Sequence, residues 1–321
     1  MRAIVQHRYG GADALSVGEV ARPEIGDRDV LVHVVAAGVD RGALHFMTGQ
    51  PYLMRLGTGL RSPKRGVPGV SFAGRVEAVG GAVTRFRPGD EVYGAAKGAY
   101  AEYVAAPEAK VATKPDGLTF EEAAVLPYSA FAALQAVRDH AHVGARDHVL
   151  VVGATGAVGS IAVQVAKASG AEVTGVCGTR SLDLARSLGA DRVVDHTRED
   201  FTDGRVRYDV IIDVFGRTPI RRLRHALAPR GRLVIVGGEG DRWIGGMQRQ
   251  LSAALLSPFV HQRLGFFVAK EDAATLAAVN DLVAAGKVRP VLDRSYPLAE
   301  ADDAVRRLQD GTGSGRVALV V

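Results

Sequence analysis

The stretch VLVVGATGAVGSIAVQVAKASGAEVTGVC, which begins at Val149, limits the possible folds more than any other part of the chain. Two apolar runs of strand length flank a run of helix length. Continuous Val and Leu fit strands buried on both faces, and strand–helix–strand order fits a parallel crossover unit. Gly153, Gly156 and Gly159 punctuate the turn between the first strand and the helix. Glycine there lets the backbone approach a pyrophosphate with no Cβ in the way. The helix N-terminus adds open N–H groups and a partial positive charge. The spacing is G-x-x-G-x-x-G, a variant of the dinucleotide-binding fingerprint. It nominates Gly153, Thr155, Gly156, Ala157, Val158 and Gly159 as cofactor contacts.

The alternation continues beyond this unit. EVTGVC, RVVDH, DVIIDVF and RLVIVGG read as strands, with helices expected over 158–169, 181–188 and 220–227. Val236-Gly237-Gly238 closes one of these strands at the carboxyl edge where Rossmann ligands lie, so Gly237 joins the cofactor contacts. Before residue 119 the rhythm differs. RAIVQH, DVLVHVVAAGV and FAGRVEAVG are short runs bounded by Gly, Pro and Asp, the signature of a β-rich domain. Thr119 with Glu122 three residues on is a capping box, with helix expected from there through Val137. EDAATLAAVNDLVAAGKV reads as a helix ended by Gly286, and RVALVV as a final strand.

The second strand of the crossover unit selects the cofactor. NAD sites usually end it in Asp or Glu, which accept from the ribose hydroxyls. Here it ends in Gly178-Thr179-Arg180. A guanidinium at that place binds a 2′-phosphate by charge-assisted hydrogen bonds, so Thr179 and Arg180 point to NADP(H).

Composition excludes several classes. One cysteine, Cys177, rules out an internal disulfide and a multi-cysteine zinc lobe. The net charge of +5 is spread along the chain, with short basic groups at Arg61 to Arg65 and Arg217 to Arg232. Without a basic tail or interleaved aromatics, this reads as a solvated surface and argues against a nucleic-acid partner. No leader and no apolar run of about 20 residues is visible, so a cytoplasmic protein without membrane spans is expected.

Together these motifs resemble the medium-chain dehydrogenase/reductase superfamily, specifically its zinc-free, quinone-oxidoreductase-like branch. AAGVD, GVSFAGRVEAVG, RFRPGDEVYG, AAVLPYSAFAALQAV, SLGADRVVDH and the closing GKVRPVLDRSYPLAEADDAVRRLQDGTGSGRVALVV carry the likeness, with the glycine loop between them. The resemblance implies an α/β protein. A GroES-like, β-rich catalytic domain (residues 1–118 and 289–321) would be split around a doubly wound Rossmann domain (119–288). The final strand would then return to the first domain. It further implies a homodimer paired edge to edge through the Rossmann sheets, and Phe266, Phe267 and Val268 lining the nicotinamide pocket.

Zinc-dependent members of the superfamily place Cys directly after AAGV and His-Glu in a later PGHE stretch. Asp40 and Val70-Ser71 stand there in this chain. The resemblance therefore implies no metal, and hydride delivery to a quinone or an α,β-unsaturated carbonyl. Alternatives are a pathway-specific enoyl or ketone reductase, or a non-catalytic NADPH-binding protein with an RNA-binding or structural role. Zinc-free relatives commonly carry Asn after AAGV and Tyr soon after. Asp40 and His45 occupy those places here, and Tyr52 falls near a second Tyr position. Asp40 is expected to orient groups. His45 and Tyr52 are either donors to the acceptor oxygen or residues of a cleft wall. Tyr128 and Ser129 correspond to positions near the nicotinamide. The stretch PYLMRLGTGLRSPKRG is either a substrate rim or a plain surface loop.

Overall fold

The computed structural model describes all residues except Arg65, 239–241 and 312–314. The last residue of the 61–65 basic group thus lies outside the described residues. The chain divides into two compact units: Met1–Phe131 with Glu271–Ala284 and Pro290–Val321, and Ala132–Lys270 with Ala285–Arg289.

The first unit begins with β1 (Arg2–Val5), β2 (Ser16–Glu19) and β3 (Asp29–Val39), then α1 (Arg41–Thr48) and the short α2 (Arg55–Thr58). Then come β4 (Ser71–Val79), β5 (Glu91–Ala95), β6 (Tyr103–Pro107), β7 (Val111–Thr113), α3 (Phe120–Ala124) and α4 (Pro127–Leu134). The second unit holds β8 (His148–Val152), α5 (Ala157–Ala168), β9 (Glu172–Cys177), α6 (Leu182–Ser187), β10 (Arg192–Asp195) and β11 (Tyr208–Asp213). It continues with α7 (Ile220–Ala226), β12 (Leu227–Ile235), α8 (Met247–Leu256) and β13 (Arg263–Phe266). The chain then rejoins the first unit with α9 (Ala273–Ala284), β14 (Leu292–Pro297), α10 (Ala301–Asp310) and β15 (Arg316–Val320).

In the second unit the strand order is β10-β9-β8-β11-β12-β13, and every pairing is parallel. This is the doubly wound order, in which the chain reverses direction beside the first strand. All six carboxyl ends therefore share one edge. Val149, Leu150, Val151, Ile211 and Ile212 are buried, as strands covered on both faces require.

In the first unit the strands run β14-β15-β3-β4-β5-β7, with β6 added on β3. β15 pairs antiparallel with β3, Val317 opposite Val39, so RVALVV does return to the first domain. The capping box holds: Thr119 accepts from the Glu122 N–H while the Glu122 carboxylate accepts from the Thr119 N–H. The helix does not run unbroken to Val137. Pro127 cannot continue the hydrogen-bond ladder, so α3 stops and α4 starts afresh, and residues 135–140 then form a π-helical turn. α3 packs on β3 and β4, and α9 on β7. The first unit runs to Phe131 and takes in Glu271–Ala284.

Candidate functional site

The carboxyl edge of the parallel sheet gathers the loops that follow its strands. After β8, Gly153 takes φ +86°, and both its N–H and that of Ala154 donate to the Val176 carbonyl of β9. A Cβ on Gly159 would sit 2.0 Å from the Gly153 carbonyl oxygen, so this glycine permits the close approach of helix and loop. Gly156 differs. It is the exposed N-cap of α5, no side chain caps the helix there, and a Cβ would meet only the Gly153 oxygen at 3.4 Å. Thr155, Ala157 and Val158 beside it are half-buried. The N-cap glycine leaves room for an anion at the positive end of the helix.

After β9, Thr179 and Arg180 are both exposed. The hydroxyl expected to face a phosphate is engaged: Thr179 Oγ1 donates to Asp195 Oδ2 at 2.6 Å and lies 3.2 Å from Thr197 Oγ1. Asp195, at the end of β10, also accepts from the backbone and hydroxyl of Thr197, and these bonds hold its carboxyl down at about 2. A carboxylate is thus present at this edge, contributed by the neighbouring strand. The motif around β9 gave no sign of it. Arg180 makes no ion pair or hydrogen bond with another described side chain, so its guanidinium is available.

After β11, Asp213 is fully buried and accepts from Gly216 N–H and from Arg249 Nη2 at 2.5 Å. Burial raises its pKa against the pull of Arg249. Asp213, the acidic residue of DVIIDVF with apolar neighbours on both sides, was the available signal for this pair. After β12, a Cβ on Gly237 would meet the Val214 carbonyl oxygen at 2.0 Å, so close strand packing alone requires glycine. Phe266, the last residue of β13, and Val268 beyond it are exposed, while Phe267 stacks on His140 at 4.1 Å.

The other sequence-nominated residues lie in the first unit. Asp40 is the N-cap of α1: its Oδ1 accepts from Ala43 N–H at 2.8 Å, and Ser71 Oγ stands 3.5 Å from Oδ2. Burial lifts its pKa to about 6, against the backbone donors of Ala43 and Gly42 and the charge of Arg316. Arg316, at the start of β15, is itself buried, is lowered to about 10 by burial, and donates to the Val125 carbonyl. An arginine opening a buried apolar strand was the sequence signal for it. Tyr128 packs on α1, where a Cβ on Gly42 would lie 2.4 Å from its Cζ. Burial, with Asp40 and Glu271 adding to it, pushes the Tyr128 phenol up to about 12. Ser129 is buried beside it. The structure thus brings Asp40, Gly42, Ser71, Tyr128 and Arg316 into one cluster.

His45 and Tyr52 are held by other groups. His45 Nδ1 lies 2.9 Å from the Gln50 carbonyl oxygen. Tyr52 lies beneath the Arg55 guanidinium, which also covers Tyr9. The front of the PYLMRLGTGLRSPKRG stretch is therefore folded down on Tyr9, whose hydroxyl donates to the Gly59 carbonyl at 2.6 Å.

Two family models match the chain: an alcohol dehydrogenase GroES-like domain over residues 26–116, and a zinc-binding dehydrogenase over residues 188–319. The chain is 32% identical to the 2-methylene-furan-3-one reductase of Solanum lycopersicum, over 99% of its own length and 79% of that protein. It is also 32% identical to the NADPH-dependent alkenal/one oxidoreductase of Arabidopsis thaliana, with the same coverage. The quinone oxidoreductase structure from Coxiella burnetii superposes with a TM-score of 0.87 at 27% identity, covering 100% of this chain and 99% of that one. The chain belongs to the medium-chain dehydrogenase/reductase superfamily. Within it, the matches place the chain in the quinone-oxidoreductase-like branch, an oxidoreductase of GroES-like plus Rossmann-like architecture. Members of this superfamily bind NAD(P)(H).

For this medium-chain reductase the second family model raises the question of zinc. The donors among the described residues do not fit the metal. Among the described residues no three His, Cys, Asp or Glu side chains converge. Cys177 is buried in β9, and Asp40 is committed as a helix cap. A dinucleotide does fit: α5 starts at a glycine N-cap whose missing side chain leaves space beside it, and after β9 stands Arg180, with no side-chain partner among the described residues. No helix among the described residues is long and apolar enough to cross a membrane.

Proposed function

We propose that this protein is an NADPH-dependent, zinc-independent reductase of quinones or α,β-unsaturated carbonyl compounds. The observation that carries the reading is Arg180, exposed after β9 and without a side-chain partner among the described residues, while the nearby Asp195 carboxylate is occupied by Thr179 and Thr197. A free cation without a free carboxylate favours a 2′-phosphate over a bare ribose diol. One relative carries NADPH and the alkenal/one acceptor in its own name, and the Coxiella burnetii neighbour is a quinone oxidoreductase, both in line with this acceptor class.

When bound, NADPH supplies a hydride, and reduction of the acceptor also takes up a proton. Gly153, Thr155, Gly156, Ala157, Val158 and Gly159 hold the pyrophosphate, with Thr179 positioning Asp195 away from the ribose. Gly237, Phe266, Phe267 and Val268 complete the cofactor wall. In the first unit, Tyr128 stays protonated through the physiological range and can donate a hydrogen bond to a developing oxyanion. Asp40, with Arg316, fixes the start of the helix that carries His45. His45 is the candidate proton donor, and Tyr52 and Ser129 line the acceptor. Homodimerisation along the outer edge of β13, beside the exposed Leu251, Leu255 and Phe259, belongs to the same reading.

The test is anaerobic oxidation of NADPH and NADH against quinones and short enones, with chelator present and no metal added. Turnover with NADPH far above NADH supports the reading. NADPH binding without turnover on any acceptor moves it to a pathway-specific reductase. Failure to bind either nucleotide overturns it.

A further inference from the structure

The second unit holds a cavity of about 180 Å³ away from the glycine loop, between β12, β13 and the π-helical turn at 135–140. Arg232 pairs with Arg263 and Val234 with Gly265 in the parallel register, so these four residues share one face of the sheet, and all four line the cavity. His140 and His142 close its other side. No carboxylate among the described residues lines it. Asp147 is ion-paired with Arg232 at 2.7 Å.

Three features indicate that this space is built to hold something. Arg232 spends its guanidinium on Asp147 and on the carbonyl of His142, a residue at φ +48°. A non-glycine residue in that region is strained and marks places the surroundings over-determine. Arg263, by contrast, has no side-chain partner among the described residues. Gly265 lies in an edge strand at a φ that any residue adopts, and a Cβ there would touch nothing within 4 Å. Backbone geometry does not require that glycine, whose absent side chain leaves the floor of the cavity open.

We propose that this cavity is a second ligand site, specific for a small aromatic carboxylate. The volume matches one six-membered ring, since an apolar cavity of about 150 Å³ accepts benzene. Val234 and the backbone at Gly265 supply the flat apolar wall, Arg263 the free cation for the carboxylate, and His140 and His142 further donors. Because Phe266 borders the cavity and His140 stacks on Phe267, a ligand here touches the segment assigned to the nicotinamide wall.

Benzoate is the probe, titrated calorimetrically into the full chain with and without saturating NADPH. The expected result is one site per chain that persists with NADPH bound. Arg263→Ala should weaken it about tenfold, the loss of one charge-assisted bond. Gly265→Val fills the cavity at a position that tolerates a side chain and should abolish binding with melting temperature and association state unchanged. No benzoate binding, displacement by NADPH, or binding indifferent to both substitutions would overturn the proposal. A Gly265→Val protein that melts early shifts the decision to Arg263→Ala alone.

Discussion

The Thr179 hydroxyl donates to the Asp195 carboxylate at 2.6 Å, joining the ends of two adjacent parallel strands at the cofactor edge. In the proposed NADPH reading, this bond occupies both the hydroxyl and the carboxylate that would otherwise meet the ribose. On that reading nucleotide choice falls to Arg180. Replacing Arg180 by Ala should raise the NADPH dissociation constant by about ten- to a hundredfold, as loss of a hydrogen bond to a charged group does, and leave NADH nearly unchanged. Thr179→Val frees an Asp195 oxygen and should weaken NADPH while improving NADH. Fluorescence titration with both nucleotides reads each effect. Equal losses for NADPH and NADH in Arg180→Ala would contradict the assignment.

Two glycines of one loop should behave differently. Gly159→Ala forces a Cβ against the Gly153 carbonyl and should cost stability. Gly156→Ala meets no such obstacle at φ −70°, so the fold should melt normally. Its methyl instead occupies the face open to the pyrophosphate, and nucleotide affinity should fall at least tenfold. Melting curves and nucleotide titrations of the pair separate the two roles. Unaltered affinity in Gly156→Ala would count against pyrophosphate binding at α5.

Asp40 gives a pH dependence with a definite sign. Its native pKa of about 6 lies above its ordinary value of 3.8. Its contribution to stability is therefore fully present below about pH 4 and is lost as pH rises through about 6, by about 3 kcal/mol in total. Asp40→Asn keeps an N-cap acceptor for Ala43 but does not titrate. Denaturant unfolding at several pH values should show wild type losing stability relative to Asp40→Asn across that window. A difference that does not vary with pH would refute the assignment.

The Asp213–Arg249 pair should be costly to break and cheap to replace. Arg249 reaches Asp213 through Nη2 alone, and its Nε and Nη1 have no partner among the described residues. Arg249→Met leaves a carboxylate buried without its cation, at a cost of about 3–5 kcal/mol. Adding Asp213→Asn should recover much of that, since a neutral amide needs no counter-ion. Urea titrations of the single and double variants test this. A single-variant loss under about 1 kcal/mol would show that the pair is not coupled.

Much of the fold was legible in the residues. The 2.0 and 3.6 periodicities, the Thr119 capping box, and glycines that must avoid a Cβ are local signals, set by backbone sterics within a few positions. So were the glycine loop and the Thr179-Arg180 end of β9. Pro127 was equally local, and its effect in dividing the expected helix at 119–137 follows from its missing N–H. The partners of charged side chains were not legible in the same way. Nothing near Thr179 announces Asp195, sixteen residues on, because only the parallel register of β9 and β10 brings them together. Asp40 and Arg316 lie near opposite ends of the sequence and share an environment only because β15 pairs with β3. Local sequence determined which segments become strands, helices and turns. The tertiary structure decided which charges meet and which stay free, because burial and electrostatic pairing depend on distances in space rather than along the chain.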